Sequence, residues 1–250
     1  MTRSRILKAL GATLLTVLVV GVLGFLWYAQ PQPLLPEATA ALASTELATY
    51  DGSDGLITYT PTAGTPTTGL ILYPGGKVPS AAYAPQARAI AESGYLTVIV
   101  SVPFNFAVFD IGAAQPVIDA HPEIEHWVVG GHSLGGAMAA QFLAGSPGAA
   151  EGLVFWAAYA ATDLSAQDLA VASIYGSLDT GIPSYTSATA IANVGPDLVT
   201  TVVEGGNHEQ MGWYTGQPND PPATISRVDQ QAQVIAATER LLDAVGDPVR

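Results

Sequence analysis

Gly131-His132-Ser133-Leu134-Gly135 joins an apolar stretch, Trp127-Val128-Val129, to a run of small residues that includes Ala137, Ala139 and Ala140. A strand that turns at once into a helix at a serine exposes the hydroxyl above the end of a sheet, beside helix N-terminal amides that favour negative charge. The turn is tight enough to demand glycine two residues before and two after the serine. A serine hydroxyl is a weak nucleophile until an adjacent base takes its proton, and that base must be oriented by a carboxylate. Ser133 thus predicts two partners further along the chain, acid first and base second. The five-residue pattern is weak by itself in a chain with 26 glycines, and its weight comes from the strand and helix on either side.

Four histidines make the search for the base short. His121 and His126 precede the turn and flank a loop, which suits solvated roles, and His132 lies inside the turn and is expected to point elsewhere. His208 remains, in Glu204-Gly205-Gly206-Asn207-His208 after the last strand, a glycine-rich loop able to return a base to the strand ends. The orienting acid is expected at Asp179, in Tyr175-Gly176-Ser177-Leu178-Asp179, where Gly176 would supply the turn that brings the carboxylate over the sheet; Asp163 is the alternative. Acyl transfer also needs amides for the oxyanion that develops on the carbonyl oxygen. The amide of Leu134 follows the serine directly, and Tyr73-Pro74-Gly75-Gly76-Lys77 is placed to offer the amide of Gly76, with Lys77 next.

Short apolar runs set the elements that must position these residues. Strands are expected at 47–50, 56–60, 70–73, 96–100, 127–129, 153–156, 171–175 and 198–203, the later ones apolar enough to be buried parallel strands. Asp51-Gly52-Ser53-Asp54-Gly55 makes the first two a hairpin; it looks superficially like a calcium loop but lacks the regular acidic spacing and the distal glutamate. Helices are expected near 81–92, 114–120, 134–144 and 184–192, with a final amphipathic helix over 228–244 whose apolar side carries Val234, Ile235, Thr238, Leu241 and Leu242. This alternation is an α/β pattern, a mostly parallel doubly wound sheet that binds ligands beyond the carboxyl ends of its strands. About 14 residues separate the strands ending at Trp156 and beginning at Val171, which leaves room for little or no cap.

Ahead of this domain, Arg3, Arg5 and Lys8 precede an uncharged run from Ala9 to Gln30, long enough to span a membrane and ending in the aromatic pair Trp27-Tyr28. Residues 1–30 are therefore expected to form an uncleaved anchor, with the rest of the chain outside the cytoplasm by the positive-inside rule. A cleaved signal peptide and a secreted protein are the alternative, with Ala38-Thr39-Ala40 as the distant cleavage site. Residues 31–45 read as a stiff proline-rich linker and 46–250 as the domain, so a chain beginning near Pro36 is expected to be fully active.

After residue 30 stand five cationic residues (Lys77, Arg88, Arg227, Arg240, Arg250) against all 21 acids, a formal charge of −16. Such a surface repels nucleic acid and anionic lipid. The chain has no cysteine, which excludes disulfides, a thiol nucleophile and cysteine-based zinc sites. No cofactor or metal is called for by these motifs.

From about Leu56 onward the chain resembles the α/β-hydrolase superfamily. Tyr73-Pro74-Gly75-Gly76-Lys77-Val78, Gly130-Gly131-His132-Ser133-Leu134-Gly135-Gly136-Ala137-Met138-Ala139 and Glu204-Gly205-Gly206-Asn207-His208 are similar to segments of the small bacterial "fold-five" group. That group resembles dienelactone hydrolases in its compact core, yet those enzymes use a cysteine where this chain has Ser133. The resemblance implies a serine hydrolase and brings no defined substrate with it; cleavage of a carboxylic ester is the expected reaction, on a small-molecule ester or acyl substrate. Amide hydrolysis or acyl transfer would share the same acyl-enzyme, and a binding module that kept the fold without turnover is the reading from a different class.

Overall fold

The protein is described by a computed structural model covering residues 3–246 and 249, with backbone alone for residues 3–9. Arg3, Arg5 and Lys8 are thus placed only as helical backbone, and Arg250 lies outside the described residues. The chain divides into two compact units, Met1–Pro31 and Gln32–Arg250.

The first unit is the helix α1 (Arg3–Tyr28). Its segment Leu10–Tyr28 is 19 residues long with mean hydropathy 2.3, long and apolar enough to cross a membrane. Leucines and valines are exposed on every side of it, among them Leu14, Val17, Leu18 and Leu23. Such an all-round apolar surface suits lipid rather than water.

The second unit opens with a short helix, α2 (Pro36–Ala40), and is built on one sheet. Its strands are β1 (Ala48–Asp51), β2 (Ile57–Pro61), β3 (Thr68–Tyr73), β4 (Leu96–Ile99), β5 (His126–His132), β6 (Gly152–Trp156), β7 (Ala170–Gly176) and β8 (Val199–Val203). They lie in the order β1-β2-β4-β3-β5-β6-β7-β8. β2 pairs antiparallel with β1 and with β4, and every pairing from β4 to β8 is parallel. From β3 the chain goes first to β4 on one side and then to β5 on the other, so strand order reverses between β3 and β5, where doubly wound sheets open a crevice.

Because side chains alternate across a strand, each central strand feeds two cores. Leu70, Leu72, Val128, Val154 and Ile174 face α3 (Ala84–Glu92) and α8 (Arg227–Val245), which contribute Ile90, Val234, Leu241 and Leu242. Ile71, Val129, Leu153, Phe155 and Val171 face the opposite layer, made by α4 (Ala114–Ala120) and α5 (Leu134–Gly145) with Val117, Ala139, Phe142 and Leu143. The hairpin turn holds Asp54 and Gly55 at positive φ, and the Asp51 carboxylate accepts from the backbone and the hydroxyl of Ser53.

Four expectations are corrected by the structure. β5 continues through Gly130 and Gly131 to His132, because pairing with Leu72 and Tyr73 of β3 outweighs the weak strand propensity of glycine. β8 is an edge strand rather than a buried one, with Val199 62% and Val202 41% exposed. The helix expected over 184–192 is two short helices, α6 (Ile182–Tyr185) and α7 (Ala188–Ala192), broken where Ser187 caps the second by accepting from the Ala190 amide. The segment 31–45 is not a free linker from Gln32 onward. Gln32 N–H donates to the Lys77 carbonyl (2.9 Å), Leu35 N–H to Trp213 (3.0 Å), and Thr215 N–H to Pro33 (3.0 Å), with a bridge between Leu34 and Tyr214. A chain beginning at Pro36 would lack all four contacts.

Candidate active site

β5 enters the serine turn and α5 leaves it. Ser133 has φ 52° and ψ −121°, a conformation that L-residues adopt only under constraint, at a cost of about 1–3 kcal/mol. Its amide donates to the Trp156 carbonyl at 3.0 Å, which pins the strained residue to β6. A Cβ on Gly131 would stand 2.4 Å from the Tyr73 carbonyl oxygen, and one on Gly135 2.3 Å from the same oxygen. Both glycines are thus required by one carbonyl at the end of β3. Ser133, Leu134 and Ala137 open onto a cavity of about 370 Å³ walled also by Ala157, Ala158, Tyr159 and Tyr185, and none of its lining residues is charged.

Asp179 follows β7 and His208 follows β8, and the structure brings them together. The Asp179 Oδ2 to His208 Nδ1 distance is 2.8 Å, with the two residues 4% and 9% exposed. Gly176 ends β7 and opens the expected turn, its carbonyl accepting from the Asp179 amide at 3.1 Å, and a Cβ there would lie 2.2 Å from the Gly206 carbonyl carbon. The small residue lets the histidine loop press against the strand that delivers the acid. Asp163 is fully exposed and accepts from the amide and hydroxyl of Ser165, and those bonds lower its pKa.

Three groups that sequence reasoning missed hold this pair. The Tyr185 hydroxyl lies 3.3 and 3.2 Å from the two Asp179 oxygens and 3.3 Å from His208 Nδ1. Burial, and next the Asp179 charge, raise its pKa, so it stays a neutral donor. The Asp220 carboxylate accepts from the amides of His208 (3.2 Å) and Glu209 (2.7 Å), and burial raises its pKa. Gln230, wholly buried, accepts from the Asn207 amide and donates back to its carbonyl, fixing the residue before His208. Neither Tyr185 nor Asp220 belongs to a motif; each reaches the site only through loop geometry.

In the loop after β3, the Gly75 amide donates to the Tyr83 hydroxyl at 2.9 Å and the Lys77 amide to the Asn105 carbonyl at 2.7 Å. Gly76 lies between them, with its Cβ position 3.4 Å from a methyl carbon of Leu134. Among the described residues neither the Gly76 amide nor the Leu134 amide has a hydrogen-bond acceptor. Lys77, at φ 66°, is held by its backbone at both ends, since its carbonyl accepts from Gln32.

The remaining histidines divide. His121 Nδ1 lies 2.9 Å from the Glu123 carboxylate, a bond that lowers the pKa of Glu123, and His126 is half-buried at the start of β5. His132 does not point away from the site: its ring centroid is 4.5 Å from that of His208, and its Nδ1 is 2.8 Å from the Tyr83 hydroxyl.

The arrangement offers an exposed-turn serine, a carboxylate-oriented imidazole, two uncommitted amides and an uncharged cavity, and among the described residues no cluster of His, Asp or Glu could hold a metal ion. No curated protein is similar enough to the chain to count as a match. The family model that describes the alpha/beta hydrolase family matches residues 69–232, from β3 into α8. That span takes in the whole parallel part of the sheet together with Ser133, Asp179 and His208, and the chain belongs to the alpha/beta hydrolase family.

Proposed function

We propose that this hydrolase cleaves carboxylic esters through an acyl-enzyme on Ser133. The observation that carries the reading is the 2.8 Å contact between Asp179 Oδ2 and His208 Nδ1. With Nδ1–H donating to the carboxylate, the lone pair of His208 lies on Nε2, the tautomer a general base needs. His208 Nε2 takes the hydroxyl proton as Ser133 Oγ attacks the ester carbonyl carbon. The oxyanion that forms accepts from the amides of Leu134 and Gly76, which have no acceptor to leave among the described residues. Collapse breaks the bond to the alkoxy oxygen, which departs as the alcohol with the proton from His208. Water, deprotonated by the same nitrogen, then releases the acid and restores Ser133. Tyr185 and Asp220 hold the acid and the base in place, and the uncharged cavity takes the acyl group.

A fluorophosphonate probe and a chromogenic ester test this reading. The probe should label wild type on Ser133, and Ser133→Ala should lose labelling and about 10⁴-fold or more of the turnover while melting at the same temperature. Undiminished turnover in the folded variant would sink it. We further propose that α1 is retained as a single membrane span with residues 32–250 outside the cytoplasm, on the strength of its length, its hydropathy and the cations before it. Intact-mass measurement of the native protein decides, since an N-terminus near residue 31 or 41 would mean a removed signal peptide.

A further inference from the structure

One buried titratable side chain has no part in the chemistry above. His132 is 1% exposed, between Tyr83 on one side and the ring of His208 on the other. Tyr83, also 1% exposed, ends the turn Ser80–Tyr83 before α3, and its hydroxyl contacts both the Gly75 amide at 2.9 Å and His132 Nδ1 at 2.8 Å. The Gly75 amide can only donate. If Tyr83 then gives its one proton to His132 Nδ1, the phenol is satisfied and the imidazole carries its proton on Nε2. The other tautomer would leave the phenol proton without an acceptor as well as Nε2 without a donor. Burial, and next the neighbouring His208, hold the pKa of His132 well below the usual histidine value, which keeps the ring neutral.

Among the described residues the buried His132 Nε2 has no partner in good hydrogen-bond geometry, although the backbone of His208 is near enough to favour a proton on the ring. An unpaired buried N–H costs about 1–3 kcal/mol, and phenylalanine would fill the same space without that cost. A chain that carries the polar ring here gains something other than packing. The continuous path runs from Gly75, through Tyr83 and His132, to the His208 ring, and Gly75 adjoins the amide expected to bind the oxyanion.

We propose that Tyr83 and His132 are positioning residues that tie the Gly75–Gly76 loop to the His208 ring, so that oxyanion donor and base keep one fixed separation. The proposal rests on the reaction described above. Misplacement of either group by a fraction of an ångström to an ångström is worth roughly ten- to a hundredfold in rate. Tyr83→Phe and His132→Phe should each lower kcat by about that factor with KM within about twofold, and the double variant should be no worse than the weaker single one, because each breaks the same link. His132→Asn, which returns an acceptor near the place of Nδ1, should recover part of the loss. Nitrogen-15 spectra of wild type should show His132 as the Nε2–H tautomer, unchanged between pH 8 and 5.5.

Folded Tyr83→Phe and His132→Phe proteins with kcat within twofold of wild type would overturn the proposal, and so would spectra with the proton on Nδ1. Should the variants fail to fold, the wild-type spectra still decide the link. Wild type that neither labels with the fluorophosphonate nor hydrolyses any ester would instead remove the proposed function and leave the spectra as the measure of the link itself.

Discussion

Asp179 accepts from three directions at once: the Gly181 amide at 2.7 Å, the Tyr185 hydroxyl and His208 Nδ1. Asparagine has the same shape but only one acceptor oxygen, so Asp179→Asn must present an N–H to at least one of these donors. The imidazole then turns or changes tautomer. We expect a loss of about 10⁴-fold in kcat, by analogy with serine proteases, and a change within about twofold for Asp163→Asn. Steady-state kinetics on both variants check this, and the reverse ranking would place the acid after β6. The strained turn at Ser133 and the meeting of Asp179 with His208 were legible because chain order and a supply of four histidines leave few choices. Tyr185, Asp220 and His132 were not. A tyrosine six residues beyond an aspartate meets it only because α6 ends where it does, and a histidine next to the serine meets His208 only because β5 runs three residues beyond its apolar run.

Among the elements, alternation of short apolar strands with helices was readable because a parallel strand buried on both faces has no other composition available. What escaped was set by partners distant in the chain. β8 reads as a central strand from its composition, but it is last in the order and pairs with a strand on one edge only. The prolines of residues 31–36 suggest a spacer, yet Gln32 and Leu35 donate to carbonyls of Lys77 and Trp213. These bonds hold the far side of the loop that carries Gly76. A chain beginning at Pro36 should therefore lose about 1–3 kcal/mol of stability and show reduced kcat relative to one beginning at Pro31. Thermal melts and kinetics on the two chains measure this, and identical values would make residues 32–35 a passive covering.

The molecule as a whole carries its acidity on the surface and its histidine–tyrosine network inside. Since the native pKa of His132 is depressed, its unfolded form takes up a proton below about pH 6.5 that the native form refuses. The unfolded state then binds more protons, and stability falls with falling pH by up to about 1.4 kcal/mol per unit, with no contribution above neutrality. Urea titrations at pH 7.5 and 5.5 should show this loss in wild type and a smaller one in His132→Phe. Equal slopes would mean that His132 does not govern acid sensitivity. The contact between residues 32–35 and the 213–216 segment has a further consequence, for the order in which the protein folds. Gln32 and Gly216, joined by a side-chain hydrogen bond, are 184 positions apart, so this contact closes nearly the entire domain into one loop. Loop-closure entropy must be met before such a contact returns anything, which makes it a late event even though residues 32–35 leave the ribosome early. The Lys77 loop is consequently completed after the sheet. On refolding, fluorescence from the buried Trp156 should recover before ester hydrolysis, and in a chain beginning at Pro36 the two should recover together.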